Sequence, residues 1–209
     1  AGYFAREVSA IPLVEDGAGF KASPPVQLLY GGHESFRPVD IRQGPDGAIY
    51  VADWYNPIIN HYQVSLRHPD RDYTRGRIWR LAAKGREKAE RPGLEKMAIP
   101  ELVEQLRHPE RWPREQARRM LSDHPEPEAV IKALRAFTAE SKTGEEIALI
   151  EAAGVLESLG AADSALLDRL QASADPFIRA VAARVIARSS DSVPDAAARL
   201  AKLLADPPP

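Results

Sequence analysis

The residues best suited to chemistry crowd into one stretch of this 209-residue chain. Asp53, Asn56, His61, His68, Asp70, Arg71, Asp72 and Arg75 lie within or beside the segment from Trp54 to Arg75. Oxygen donors at this density suit a polar ligand or a Ca²⁺ ion, and a polar loop of this kind suits the mouth of a cleft. The same residue types also build turns. Asp53 and Asn56 therefore admit two readings, ligand contact or turn formation, and the Arg/Asp pairs could tie the loop to its neighbours. His61 and His68 stand seven apart with no evident third ligand, so no metal site is expected from them. Gly44-Pro45-Asp46-Gly47 is a turn and not a phosphate-binding loop. No Gly-x-Ser-x-Gly elbow is present. The chain has no cysteine, which removes thiolate nucleophiles, disulfides and covalent c-type haem from this stretch.

A polar segment of this length is too long for a hairpin loop, and its aromatic and isoleucine content argues against disorder. Strands must hold it. Val26–Tyr30, Pro38–Arg42, Ala48–Ala52 and Arg77–Ala82 read as short strands, with Gly44-Pro45-Asp46-Gly47 turning the middle pair into an antiparallel hairpin.

Composition changes near Arg91-Pro92-Gly93. Of the 14 aromatic residues 11 precede it, and 10 of the 13 glycines lie at or before Gly93. The remainder is rich in Ala, Leu, Glu and Arg, which favour helix. Residues 1–85 are thus expected to be a β domain, 86–93 a charged linker and 94–209 a helical domain. Apolar stripes at helical spacing run through Ile99–Leu106, Trp112–Leu121, Glu126–Ala139, Gly144–Leu159, Asp163–Ala172, Asp175–Arg188 and Pro194–Leu204. Ile147, Ile150, Val155 and Leu159 are expected to face inward on the fourth.

The helical half repeats itself. Leu106–Leu121 and Leu170–Ile186 both place a proline-containing turn before an arginine, Arg114 in one and Arg179 in the other, and then a small-residue apolar helix. This is similar to the HEAT-repeat pattern, in which helix pairs stack because none buries its face alone. Arg114, Arg118, Arg119, Arg179, Arg184 and Arg188 make either a basic stripe or solvated contacts to acids; equally abundant Asp and Glu favour the second.

Net charge is -2, so no basic field draws the chain to nucleic acid. No apolar run approaches the length needed to cross a bilayer. Ala1–Glu7 lacks an export-signal pattern, and the start reads as an interior point of a longer protein. About 90 residues of this composition supply one or two blades of a propeller, not a closed one.

The run Phe36–His61 together with Arg67–Arg80 resembles the "membrane-bound dehydrogenase"-type proteins of planctomycetes and verrucomicrobia. That family joins a propeller similar to glucose/sorbosone dehydrogenases to HEAT repeats and a c-type cytochrome. The resemblance implies an α+β multidomain fold, a partial antiparallel β-propeller segment followed by a HEAT-like helical stack. It implies a periplasmic or cell-surface location, and a parent that oxidises a sugar or alcohol with pyrroloquinoline quinone, Ca²⁺ and haem c, none of them held within this chain. The expected partners are the remaining propeller blades, with a carbohydrate or protein as further partner and neither nucleic acid nor a membrane span. The alternative is a non-catalytic module that recognises a polysaccharide or a protein. The expected ligand-binding set is Asp53, Asn56, His61, His68, Arg71, Asp72 and Arg75.

Overall fold

In the computed structural model the described residues are 1–2, 4–16, 19–59, 64–65, 67–85 and 87–206. The chain is mixed α and β, and it divides into two compact units, Ala1–Arg91 and Pro92–Pro209.

The β unit holds three small antiparallel sheets. β1 (Glu7–Ala10) pairs with β4 (Val26–Tyr30), and β2 (Leu13–Asp16) pairs with β3 (Gly19–Ala22). β5 (Pro38–Gln43), β6 (Ile49–Asp53) and β7 (Arg77–Leu81) form a three-stranded sheet with β6 in the centre. The predicted turn joins β5 to β6: Gly44 and Ala48 close it by a backbone hydrogen bond, and Gly47 adopts φ +73°. A side chain there would be strained. Asp46 locks the same turn, accepting from Ala48 N, the Tyr50 hydroxyl and Arg80 Nε at 3.2, 3.1 and 2.7 Å. The Arg80 guanidinium holds the Asp46 carboxyl below the usual carboxylate range.

Register fixes what the central sheet presents. Ile41, Val51 and Trp79 align across the three strands, as do Pro38, Asp53 and Arg77. Successive side chains alternate between faces, so Asp53, Val51, Trp79 and Arg77 share one face. Val51 is fully buried there, and the Phe36 ring meets the Trp79 ring edge to face.

Among the described residues the helical unit contains α1 (Ile99–Glu104), α2 (Arg111–Ser122), α3 (Pro127–Glu140), α4 (Glu146–Ser158), α5 (Ser164–Gln171), α6 (Pro176–Arg188) and α7 (Ala196–Leu203). Helix α4 packs on both α2 and α6, giving a row of every second helix, while α1 packs on α3. The core is leucine-rich, with Leu106, Leu121, Leu134, Leu156 and Leu170 fully buried. The expectation for Ile147 fails: it is 48% exposed, and Ala148, Leu149, Ala152, Ala153, Val155 and Leu156 are buried instead. With α2, α3, α5 and α6 all touching α4, its buried surface is too broad for a single stripe to mark.

The two sequence-related arginines do the same work. Arg114 Nη1 donates to the carbonyls of His108 and Pro109 at 2.7 and 2.9 Å. Arg179 Nη1 donates to those of Ser173 and Ala174 at 2.9 Å each. Each also reaches an acid further along the chain, Glu151 for Arg114 and Asp206 for Arg179. Arg118 pairs with Glu151 and Arg188 with Glu157. These four arginines contact acids outside their own helices.

Candidate functional site

Asp53 ends β6 and is 3% exposed. Its Oδ1 accepts from Arg37 N at 2.8 Å and Tyr55 N at 2.9 Å, and its Oδ2 accepts from the Trp79 indole N–H at 3.0 Å. Both oxygens are engaged, so this carboxylate organises the end of the sheet. The Tyr55 N–H bond closes an Asx turn, and Tyr55 is driven to φ +52°. That region is strained for a bulky side chain. The strain is held by what surrounds the ring: the Arg77 guanidinium lies 3.8 Å from its centroid and the His33 ring stacks at 5.8 Å.

Asn56 is 1% exposed and its Oδ1 accepts from Ile58 N at 3.1 Å. It too is a turn former. Its Nδ2 has no hydrogen-bond partner among the described residues. His61 lies outside the described residues.

Arg71 braces the loop. Its Nε and Nη2 donate to the carbonyls of Ser65 and Val64, and its guanidinium sits 6.0 Å from the Trp54 ring. Asp72 Oδ1 accepts from Thr74 N, Thr74 Oγ1 and Arg75 N at 2.9, 3.3 and 3.0 Å. The Thr74 amide, ahead of Arg75, holds the Asp72 carboxyl below its ordinary range. Arg75 approaches Asp72 at 3.6 Å but its side chain is 69% exposed. His68 accepts the Asp70 N–H on Nδ1 at 3.2 Å.

These placements leave a cleft of about 410 Å³, walled by Tyr55, Asp70, Arg71, Asp72, Tyr73 and Arg75 among others. Three residues of the expected set, Arg71, Asp72 and Arg75, come together here. Asp53, Asn56 and His68 are not among the wall residues. The tyrosines were not singled out from sequence. Tyr55 is set by the Asx turn, which the order Asp-x-Tyr allows but does not announce. Tyr73, 63% exposed, shares its loop with the charged residues that drew attention. Among the described residues no group of three His, Asp or Glu could hold a metal, and no helix is long and apolar enough to cross a membrane.

Residues 6–85 match a family model described as a domain of unknown function (DUF7133). No curated protein and no solved structure matches the chain.

Proposed function

We propose that this chain is a binding module: the open cleft beside β6 takes a polyhydroxylated ligand of the saccharide class, and the helical unit is a scaffold. One observation carries the reading. Among the wall residues Asp72 has its Oδ1 consumed by local donors, while exposed Tyr73 and Arg75 border the same open space. A tyrosine offers a flat apolar face with a polar tip, and a guanidinium offers several donors in a fixed plane. That combination suits a sugar ring and its hydroxyls better than it suits proton transfer.

The β unit is then one part of a propeller-like sheet system. Supporting this, β5 and β7 are the edge strands of the three-stranded sheet, where further strands would pair, and Ile78 on β7 leaves an apolar side chain 76% exposed on its face. The alternating contacts of α2, α4 and α6 and the paired roles of Arg114 and Arg179 support a HEAT-like stack for the scaffold. A wider reading makes the cleft the mouth of a sugar- or alcohol-oxidising parent, exported to the periplasm or cell surface, with quinone, Ca²⁺ and haem supplied by other parts of that parent. It rests on the resemblance of residues 36–80.

Calorimetric titration against neutral and acidic oligosaccharides tests the binding reading. Binding is expected for at least one, with Tyr73→Ala and Arg75→Ala each weakening it about tenfold, the worth of one good contact. A ligand bound equally by both variants would place recognition elsewhere.

A further inference from the structure

Every described histidine makes the same bond. Nδ1 of His33, His68, His108 and His124 accepts the backbone N–H two residues on, from Ser35, Asp70, Glu110 and Glu126, at 3.1, 3.2, 3.0 and 3.1 Å. Three of the four belong to one sequence pattern: His68-Pro69-Asp70, His108-Pro109-Glu110 and His124-Pro125-Glu126. The last two precede α2 and α3 by a few residues.

Such a bond needs Nδ1 without a proton, because a neutral imidazole donates from one nitrogen and accepts at the other. Protonation turns the acceptor into a donor facing another donor, and the turn loses its lock. The residue that supplied the N–H then has something else to offer. In three cases it is acidic, and in the β unit the Asp70 Oδ2 already stands 3.9 Å from His68 Nδ1. We infer that the His-Pro-acid triplets are two-state turns: the neutral ring accepts the acidic residue's backbone N–H, and the charged ring donates to that residue's carboxylate. Proline between them fixes one backbone dihedral, so the exchange stays local.

The charged surroundings differ between copies. In sequence His68 follows Arg67 and precedes Asp70, Arg71 and Asp72; in space Asp70 is the acid at its ring, and its carbonyl accepts from the Tyr73 hydroxyl. His108 shares a cleft of about 460 Å³ with Arg107, Arg114 and Glu145, and stands two residues before Glu110. Arg114 holds the His108 carbonyl at 2.7 Å, so a rearranged turn there pulls on the repeat arginine and the start of α2. His124 is flanked by Asp123 and Glu126, with Glu128 in the first turn of α3. His33 is the internal comparison: its bonded residue is Ser35, with no carboxylate to offer. The proposal does not depend on a ligand in the cleft, since two of the three copies lie in the helical unit.

The test is nitrogen-proton NMR of the full chain, assigned at the histidine rings and at the amides of Ser35, Asp70, Glu110 and Glu126. At about pH 8 the rings of His68, His108 and His124 are expected as the Nε2–H tautomer. As acid is added, the amides of Asp70, Glu110 and Glu126 shift in step with protonation of their own rings. Asp70→Ala and Glu126→Ala keep the backbone amide but remove the side-chain acceptor, which Asn or Gln would retain. Each is expected to leave the high-pH tautomer unchanged and to raise amide exchange at its own turn about tenfold once the ring is charged, close to the net worth of one hydrogen bond. His108→Asn, a residue that closes turns without titrating, is expected to abolish the acid-linked shift at Glu110. An Nδ1–H tautomer at high pH, amides indifferent to ring protonation, or alanine variants that exchange like the parent would each overturn the proposal.

Discussion

Asp53 reaches donors on three segments, and its removal strands all of them. Arg37 N, Tyr55 N and the Trp79 indole N–H would lose their acceptor inside a buried site. A buried donor left unsatisfied costs about 1–3 kcal/mol, and partial rewetting softens the sum. Asp53→Ala is therefore expected to destabilise the β unit by about 3 kcal/mol, read as a lower urea midpoint by Trp54 and Trp79 fluorescence in a Trp112→Phe background. Asp72 and Glu145 carry a pH signature. The Thr74 amide lowers the Asp72 carboxyl, and the Lys142 amide, then Arg107, lowers that of Glu145. A carboxyl whose folded value lies below its unfolded one stabilises the fold above the ordinary unfolded value near about pH 4. That stabilisation is lost as pH falls through the lower folded value. Melting temperatures taken downward from about pH 5 should show an acid limb, shallower in Asp72→Asn and Glu145→Gln than in the parent. Part of this scale was legible in sequence. The concentration of polar residues between Asp53 and Arg75 was visible, and so were both readings of Asp53 and Asn56. Their burial decides for turn formation; that of Asp53 comes with β7 pairing beside β6, which sets Trp79 and Arg77 next to it, and no local pattern specifies that pairing.

At the level of elements, strands β4 to β7 and the seven helices follow from alternation, turn residues and helical spacing. The pair β1–β4 and the hairpin β2–β3 did not. Each of β1, β2 and β3 has four residues, too few for a period to register, and Glu7 finds its partner at Tyr30, a separation no turn signal spans. The repeat was legible because the same arginine returns after the same proline-containing turn. Its physical content emerged only in three dimensions: one guanidinium closes a turn through two carbonyls and reaches an acid beyond it. Lysine has a point charge where arginine has a planar fork. Arg114→Lys and Arg179→Lys are each expected to cost about 1–2 kcal/mol in chemical denaturation of the helical unit, near the value of two lost hydrogen bonds. Arg119→Lys should cost less than about 0.5 kcal/mol.

For the whole molecule, each compact unit has its own buried residues, Val8, Phe36 and Val51 in one and the leucine cluster in the other. Leu134→Ala, at a fully buried site, should lower the helical transition by about 3 kcal/mol and leave in place the β transition, followed by Trp54 and Trp79 fluorescence in a Trp112→Phe background. The proposed cleft lies wholly in the β unit and is built from a loop that the sequence marks by its length and polarity. What the sequence does not mark is the wall that Tyr55 supplies, because its position follows from backbone strain imposed by a buried carboxylate. The most direct test is shift mapping of the nitrogen-labelled full chain during titration with the oligosaccharide that binds best. The account predicts saturating changes concentrated at Tyr55 and Arg71–Arg75, with the helical amides unmoved. Changes confined to the helical unit, or none across the cleft while ligand is bound, would contradict it.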